Sequence, residues 1–145
     1  LPKIIFWRII AFQNLERRIV NNTSMKTLLK ESGMPKVYVC QIPHRRDRET
    51  DSLVPTINVG PASKHGDVVV MMPPQVSFYA TADLVDQLKQ KLALYDYAAG
   101  DSLLATGDPA IISAASAILG AKFGKFILLK WDRHEGIYIQ TRIVL

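Results

Sequence analysis

The chain has 145 residues, enough to bury one sizeable core and too few for two full catalytic lobes. Its 48% hydrophobic and 21% charged content excludes a disordered, collagen-like or coiled-coil chain, and the single cysteine, Cys40, excludes an intramolecular disulfide and a cysteine-based zinc cluster and reads as an intracellular, reduced chain. The net charge of +5 sits at one end: Lys3, Arg8, Arg17, Arg18, Lys26 and Lys30 face only Glu16 and Glu31, so the chain beyond residue 33 is close to neutral.

Residues 1–33 contain the apolar run Ile4-Ile5-Phe6-Trp7-Arg8-Ile9-Ile10-Ala11-Phe12. The run is too short to span a bilayer, which takes about 20 apolar residues. Its internal arginine and the lack of a small-x-small cleavage site argue against a secretory signal. Two readings stand, a disordered basic or amphipathic arm on a membrane surface or nucleic acid, and a translated leader ahead of a native start at Met34-Pro35-Lys36. The leader is preferred. Lys30-Glu31 can be encoded as AAGGAG, a strong bacterial ribosome-binding site, with Ser32-Gly33 as spacer before the ATG of Met34. Residues 34–145 then form a single α/β domain.

Val37 to Ile42 is β-branched and aromatic, is closed by Pro43, and reads as a first strand. His44 to Gly66 carries two prolines, two glycines and a mixed-charge run and reads as loop, with one short extended piece at Leu53 to Val59. Asp67 to Met72 is a continuous apolar run stopped by Pro73-Pro74, expected as a central strand covered on both faces. Thr81 is the expected cap of a surface helix through residue 95, with Leu84, Val85, Leu88, Leu92 and Tyr95 on its inner face.

Asp101 to Thr106 is a short strand, and Gly107-Asp108-Pro109 has the order of turn, N-cap and first helical residue. The following helix, Ala110 to about Leu119, has no charged face and is expected to be largely buried against the sheet. Phe126 to Trp131 and Ile137 to Val144 are strands joined by the turn Asp132 to Gly136. The order implies an α/β fold: a small layered, Rossmann-like arrangement with a mainly parallel sheet, two right-handed crossover helices and a C-terminal antiparallel hairpin.

In such a sheet a ligand binds beyond the carboxyl ends of the strands. That places the candidate ligand-binding residues at Thr106, Gly107 and Asp108, with Asp132 and Arg133 beside them. Backbone N–H groups opening the second helix are phosphate donors in principle, but Asp108 competes for them, and one glycine replaces the three of a dinucleotide fingerprint. Asp108 and Asp132 are the only candidate carboxylate pair, and a helix cap and a turn residue already account for them.

Asp47, Glu49 and Asp51 alternate as in a calcium loop, yet Ser52 and Asn58 stand where glycine and glutamate are required. His44, His65 and His134 lack metal-ligand spacing. Cys40 reads as a small buried hydrophobe, and Ser113 and Ser116 lack a nucleophile elbow. Phe126, Trp131 and Tyr138 with Lys130, Arg133 and Arg142 suggest a nucleic-acid platform, but strand alternation puts Phe126, Leu128 and Lys130 on one face and Ile127, Leu129 and Trp131 on the other. No catalytic residue, metal site or cofactor is therefore expected.

The strings Leu103-Leu104-Ala105-Thr106-Gly107-Asp108-Pro109 and Leu128-Leu129-Lys130-Trp131-Asp132-Arg133, set in this order of elements, resemble small uncharacterised proteins of tailed bacteriophages. The similarity runs from about Met34 to Val144. It implies a phage gene product in the cytoplasm of an infected bacterium and carries no catalytic residues. The expected function is a non-enzymatic accessory protein that binds a host or phage protein through its sheet edge or strand-end crevice. The alternative is a nucleotide- or phosphate-binding domain at the strand ends.

A homodimer through the final strand is a further expectation, and nucleic-acid binding is expected only if residues 1–33 are present. Translation from the native gene with its own upstream DNA should yield an intact mass corresponding to a Met34 start. A mass that includes residues upstream of Met34 would contradict the leader.

Overall fold

The computed structural model describes residues 33–76 and 81–145, and of these residues 35–145 form one compact unit. Expectations for residues 1–32, and for capping by the Thr81 side chain, fall outside the described residues and side chains. Among the described residues seven strands and two α-helices follow in the order β1 (Lys36–Gln41), β2 (His44–Arg46), β3 (Leu53–Pro55), β4 (Asp67–Met72), α1 (Thr81–Lys91), β5 (Ser102–Leu104), α2 (Pro109–Phe123), β6 (Lys125–Asp132) and β7 (Ile137–Val144). A 3-10 helix at Gly60–His65 precedes β4.

The main sheet has the order β4-β1-β5-β6-β7, with the first four strands parallel and β7 antiparallel to β6. The mainly parallel sheet with a C-terminal antiparallel hairpin is thus as expected. Two expectations about the strands fail. β4 is an edge strand and not a central one, and Val70 on it is 43% exposed. Its apolar run reflects cover above and below, since Val69, Met71 and Met72 join one core and Val68 the other, and says nothing about lateral neighbours.

Second, His44 to Gly66 is not loop with a lone extended piece: the piece at Leu53–Pro55 has a partner strand at His44–Arg46. β2 and β3 pair as an antiparallel ribbon, with the charged run forming its turn and Arg46 pairing with Asp51 at 2.9 Å on the surface. A surface pair of this kind contributes little, so the ribbon rests on its backbone pairing and on Thr56, whose N–H and hydroxyl both donate to the Pro43 carbonyl.

Side-chain alternation divides the sheet into two faces. Tyr38, Cys40, Leu103 and Phe126 point to one face, where they pack with Leu84, Leu88 and Leu92 and with Ile111, Ala115 and Leu119 from the two helices. Both helices therefore cover the same face. Val37, Val39, Leu104, Leu129 and Tyr138 point to the other, where Ala62 of the 3-10 helix joins them. α1 ends at Lys91, short of the expected residue 95, yet Tyr95 still reaches the core from the turn beyond it.

α2 runs to Phe123, with Asp108 as N-cap and Pro109 in its first turn, as the local signals require. The expectation that it is largely buried is corrected, since only Ile111, Ala115, Leu119 and Gly120 are buried. Ser113, Ala117 and Ala121 are exposed, because among the described residues α2 is an outer layer over the sheet and its small residues carry no charge to mark the solvent side.

The amino ends of the parallel strands are joined by a buried carboxylate. Asp101, 4% exposed, accepts hydrogen bonds from the backbone N–H groups of Lys36 and Asp96, each at 2.9 Å. Burial pushes its pKa above the ordinary carboxylate value, while those two N–H groups pull the other way. Next to it the Tyr95 hydroxyl donates to the Asp101 carbonyl at 2.8 Å and accepts from Ile127 N–H at 3.2 Å. Burial holds that phenol protonated, with a pKa pushed up to about 12.

Asp101→Ala leaves two backbone donors without their acceptor and should lower the unfolding free energy by about 3 kcal/mol in a denaturant titration. A loss under about 1 kcal/mol would show that the carboxylate does not hold these segments together.

Candidate functional site

The strand order puts the carboxyl ends of β1 and β5 side by side at the point where the chain's direction of travel across the sheet reverses. Open parallel sheets commonly bind ligands at such a switch point. Here a side chain fills it. Gln41, the last residue of β1 and 6% exposed, donates through Nε2 to the carbonyls of Pro73 at 2.8 Å and Pro74 at 3.2 Å. Its Oε1 accepts from the Asp108 backbone N–H at 2.9 Å, and its main-chain carbonyl accepts from the Thr106 hydroxyl at 2.7 Å.

One primary amide thus joins the loop after β4, the end of β1 and the turn after β5. Gly107 lies directly against it with φ of 97°, and a Cβ there would fall 2.5 Å from Gln41 Cβ. Only glycine tolerates both conditions.

The candidate residues at the strand ends are therefore engaged in the fold. Asp108 Oδ1 accepts from Ala110 N–H at 2.7 Å, Asp108 C=O accepts from Ile112 N–H at 3.1 Å, and Pro109 has no N–H to offer. Few donors remain at the start of α2 for an anion, and the Asp108 carboxylate repels one. Asp132 Oδ1 accepts from the N–H groups of His134 at 2.9 Å and Glu135 at 3.4 Å, which makes it the organiser of the β6–β7 turn. Arg133 is exposed in that turn.

Two apolar recesses form among the described residues: one between the helices, lined by Val85, Leu92, Ala114 and Ile118, and one on the face away from the helices, bounded by polar as well as apolar groups. The latter has a volume of about 560 Å³ between the segment Thr56 to Pro61 and the sheet, with Leu104 and Leu129 as floor and Trp131 and Tyr138 as an aromatic wall. The two rings meet edge to face with centroids 4.8 Å apart, and Trp131 remains 41% exposed. The segment is pinned at two points: the Tyr138 hydroxyl donates to the Asn58 carbonyl at 3.3 Å, and His65 Nε2 bonds the Tyr138 carbonyl at 2.7 Å.

Of the five residues expected at a ligand site, Thr106 alone lines this cavity; Gly107, Asp108, Asp132 and Arg133 do not. The alternation of β6 places Trp131 with Leu129, as expected. The missing signal is the segment Thr56 to Pro61, which completes the cavity from well upstream of Leu104 and its neighbours, with no local motif.

Other reactive groups are structural. Cys40 is fully buried, and burial pushes its thiol up to about 12, opposed by backbone hydrogen bonding that includes Thr106. Phe126 is buried beneath the helices, on the opposite face from Trp131 and Tyr138. Among the described residues no cluster of His, Cys, Asp and Glu has the geometry of a metal site, and no helix is long and apolar enough to cross a membrane.

Residues 35–145 match a family model described as phage Pam3 gp32-like protein. No curated protein and no solved structure matches the chain. The matched span contains both short strings on which the sequence resembles phage proteins.

Gln41→Leu preserves bulk while removing the three hydrogen bonds of the Gln41 side chain. It leaves the Asp108 N–H unpartnered and should cost about 2 kcal/mol of stability. A melting midpoint equal to that of the wild type would mean that the amide does not tie the strand ends together.

Proposed function

Since the chain belongs to the phage Pam3 gp32-like protein family, we propose that it is a small accessory protein that acts in the cytoplasm of the infected bacterium by binding a host or phage protein, without catalysing a reaction. The observation that carries this reading is the aromatic-walled cavity beside Trp131. A large aromatic side chain, 41% exposed at the rim of an apolar recess, has the chemistry of an interface anchor. A partner's apolar side chain entering the recess would meet Leu104, Leu129 and Pro61 and cover the Trp131 ring.

A Rossmann-like description fits the strand order at the level of sheet topology, with a switch point between β1 and β5. Gln41 occupies that crevice and Asp108 caps the adjoining helix, which weighs against the nucleotide or phosphate alternative.

The test uses the chain as an affinity bait in extracts of infected cells, beside Trp131→Ala checked for an unchanged melting midpoint. A specific protein should be retained by the wild type and its affinity reduced at least about tenfold by the substitution. A panel of nucleotides and inorganic phosphate should leave the melting midpoint in place, since only a bound ligand raises it. A midpoint raised by a nucleotide, or a partner held equally by Trp131→Ala, would overturn the proposal.

A further inference from the structure

β7 is an eight-residue edge strand with no proline, no glycine, no bulge in its pairing with β6 and a single charge, Arg142. Edges without such protection are templates for another strand. One bond fixes which backbone groups face outward. Leu145 N–H donates to the Gly124 carbonyl at 2.9 Å, and these two residues continue the β6–β7 register.

In an antiparallel pair, hydrogen-bonded and non-hydrogen-bonded positions alternate. Ile143, Thr141, Ile139 and Ile137 therefore bond to β6, while Tyr138, Gln140, Arg142 and Val144 turn their N–H and C=O groups to the open edge. Two observations agree: the Tyr138 carbonyl is free to be taken by His65, and Trp131 and Tyr138, a non-hydrogen-bonded pair, have their rings in contact.

We infer that this edge pairs with the same edge of a second copy, antiparallel about a two-fold axis through Thr141, making a continuous ten-stranded sheet. The register is the one that sets Gln140 opposite Arg142 of the second copy and the reverse, so that four backbone bonds form at the centre. It also places Ile139, 44% exposed, opposite the half-buried Ile143 of the second copy on the helix-bearing face.

Each Arg142 faces a glutamine and not its own counterpart; moving the axis to residue 142 would put the two arginines together. His65 already holds the Tyr138 carbonyl, so it marks where the free edge ends and confines the pairing to the stretch beyond it. The recess of the proposed protein partner borders this strand at Tyr138, but the pairing uses backbone groups beyond that residue, so the two readings are tested separately.

The inference is tested on the full chain by sedimentation equilibrium and by cysteine crosslinking. The mass should rise to that of a dimer with increasing concentration. Arg142→Pro, which removes an N–H that points away from β6, should leave the far-ultraviolet spectrum and melting midpoint close to the wild type and keep the mass monomeric. Thr141→Cys should form a disulfide-linked dimer under mild oxidation, since the two residues face each other on the axis, whereas Gln140→Cys should not.

The native Cys40 is buried and does not compete. A monomeric mass up to about 1 mM, or a dimer that Arg142→Pro leaves intact, would overturn the inference. Crosslinking through Gln140→Cys in preference to Thr141→Cys would overturn the register.

Discussion

The side-chain amide of Gln41 is the contact on which the carboxyl end of the sheet depends. Two donors and one acceptor on a single buried group satisfy two proline carbonyls after β4 and the N–H of the residue that caps α2. Backbone groups at strand ends have left the ladder and must find partners elsewhere or remain in water. A glutamine reaching across the switch point meets that demand for three segments at once. With Gly107 pressed against it, there is no room for a side chain at that position. Asp101 does the corresponding work at the amino end, so the parallel strands are held at both ends by polar groups and between them by apolar ones.

Closing the crevice has a consequence for function. Among the described residues both helices lie on one face, and the opposite face receives only the 3-10 helix and the segment before it. That cover is partial. It leaves the recess walled by Trp131 and Tyr138, where apolar surface is accessible and no titratable cluster gathers. A binding surface of this composition suits recognition by shape and apolar burial, and it shares Tyr138 with the strand whose outer edge is open.

The sequence makes legible whatever is encoded locally. The Gly107-Asp108-Pro109 stop and cap, the alternation of β6 and the glycine-closed turn before β7 are each decided within a few residues, and each is found where local chemistry places it. The edge position of β4 is not legible, because an apolar run reports cover on two faces and not which strands flank it.

The ribbon of β2 and β3 reads as loop because its charged turn hides a pairing between His44–Arg46 and Leu53–Pro55. Gln41 escapes notice for the same kind of reason: a polar residue closing a strand has no signature, and its partners lie 32, 33 and 67 residues away. Thr106 and Asp108 are strand-end residues as their local sequence requires, but the use to which the fold puts them depends on that distant glutamine.

If the strand-end crevice is a closed structural joint, recognition falls to other surfaces, of which the recess beside Trp131 is the one proposed. Amide hydrogen exchange at the Asp108 backbone N–H, followed by nuclear magnetic resonance, distinguishes a closed joint from an open one. In a closed joint this proton, although it lies in a turn, exchanges as slowly as the amides of β1 and β5, and that is the expected result. Exchange at the rate of an exposed loop amide would mean that the joint opens readily, and the crevice would again be a place for a ligand to bind.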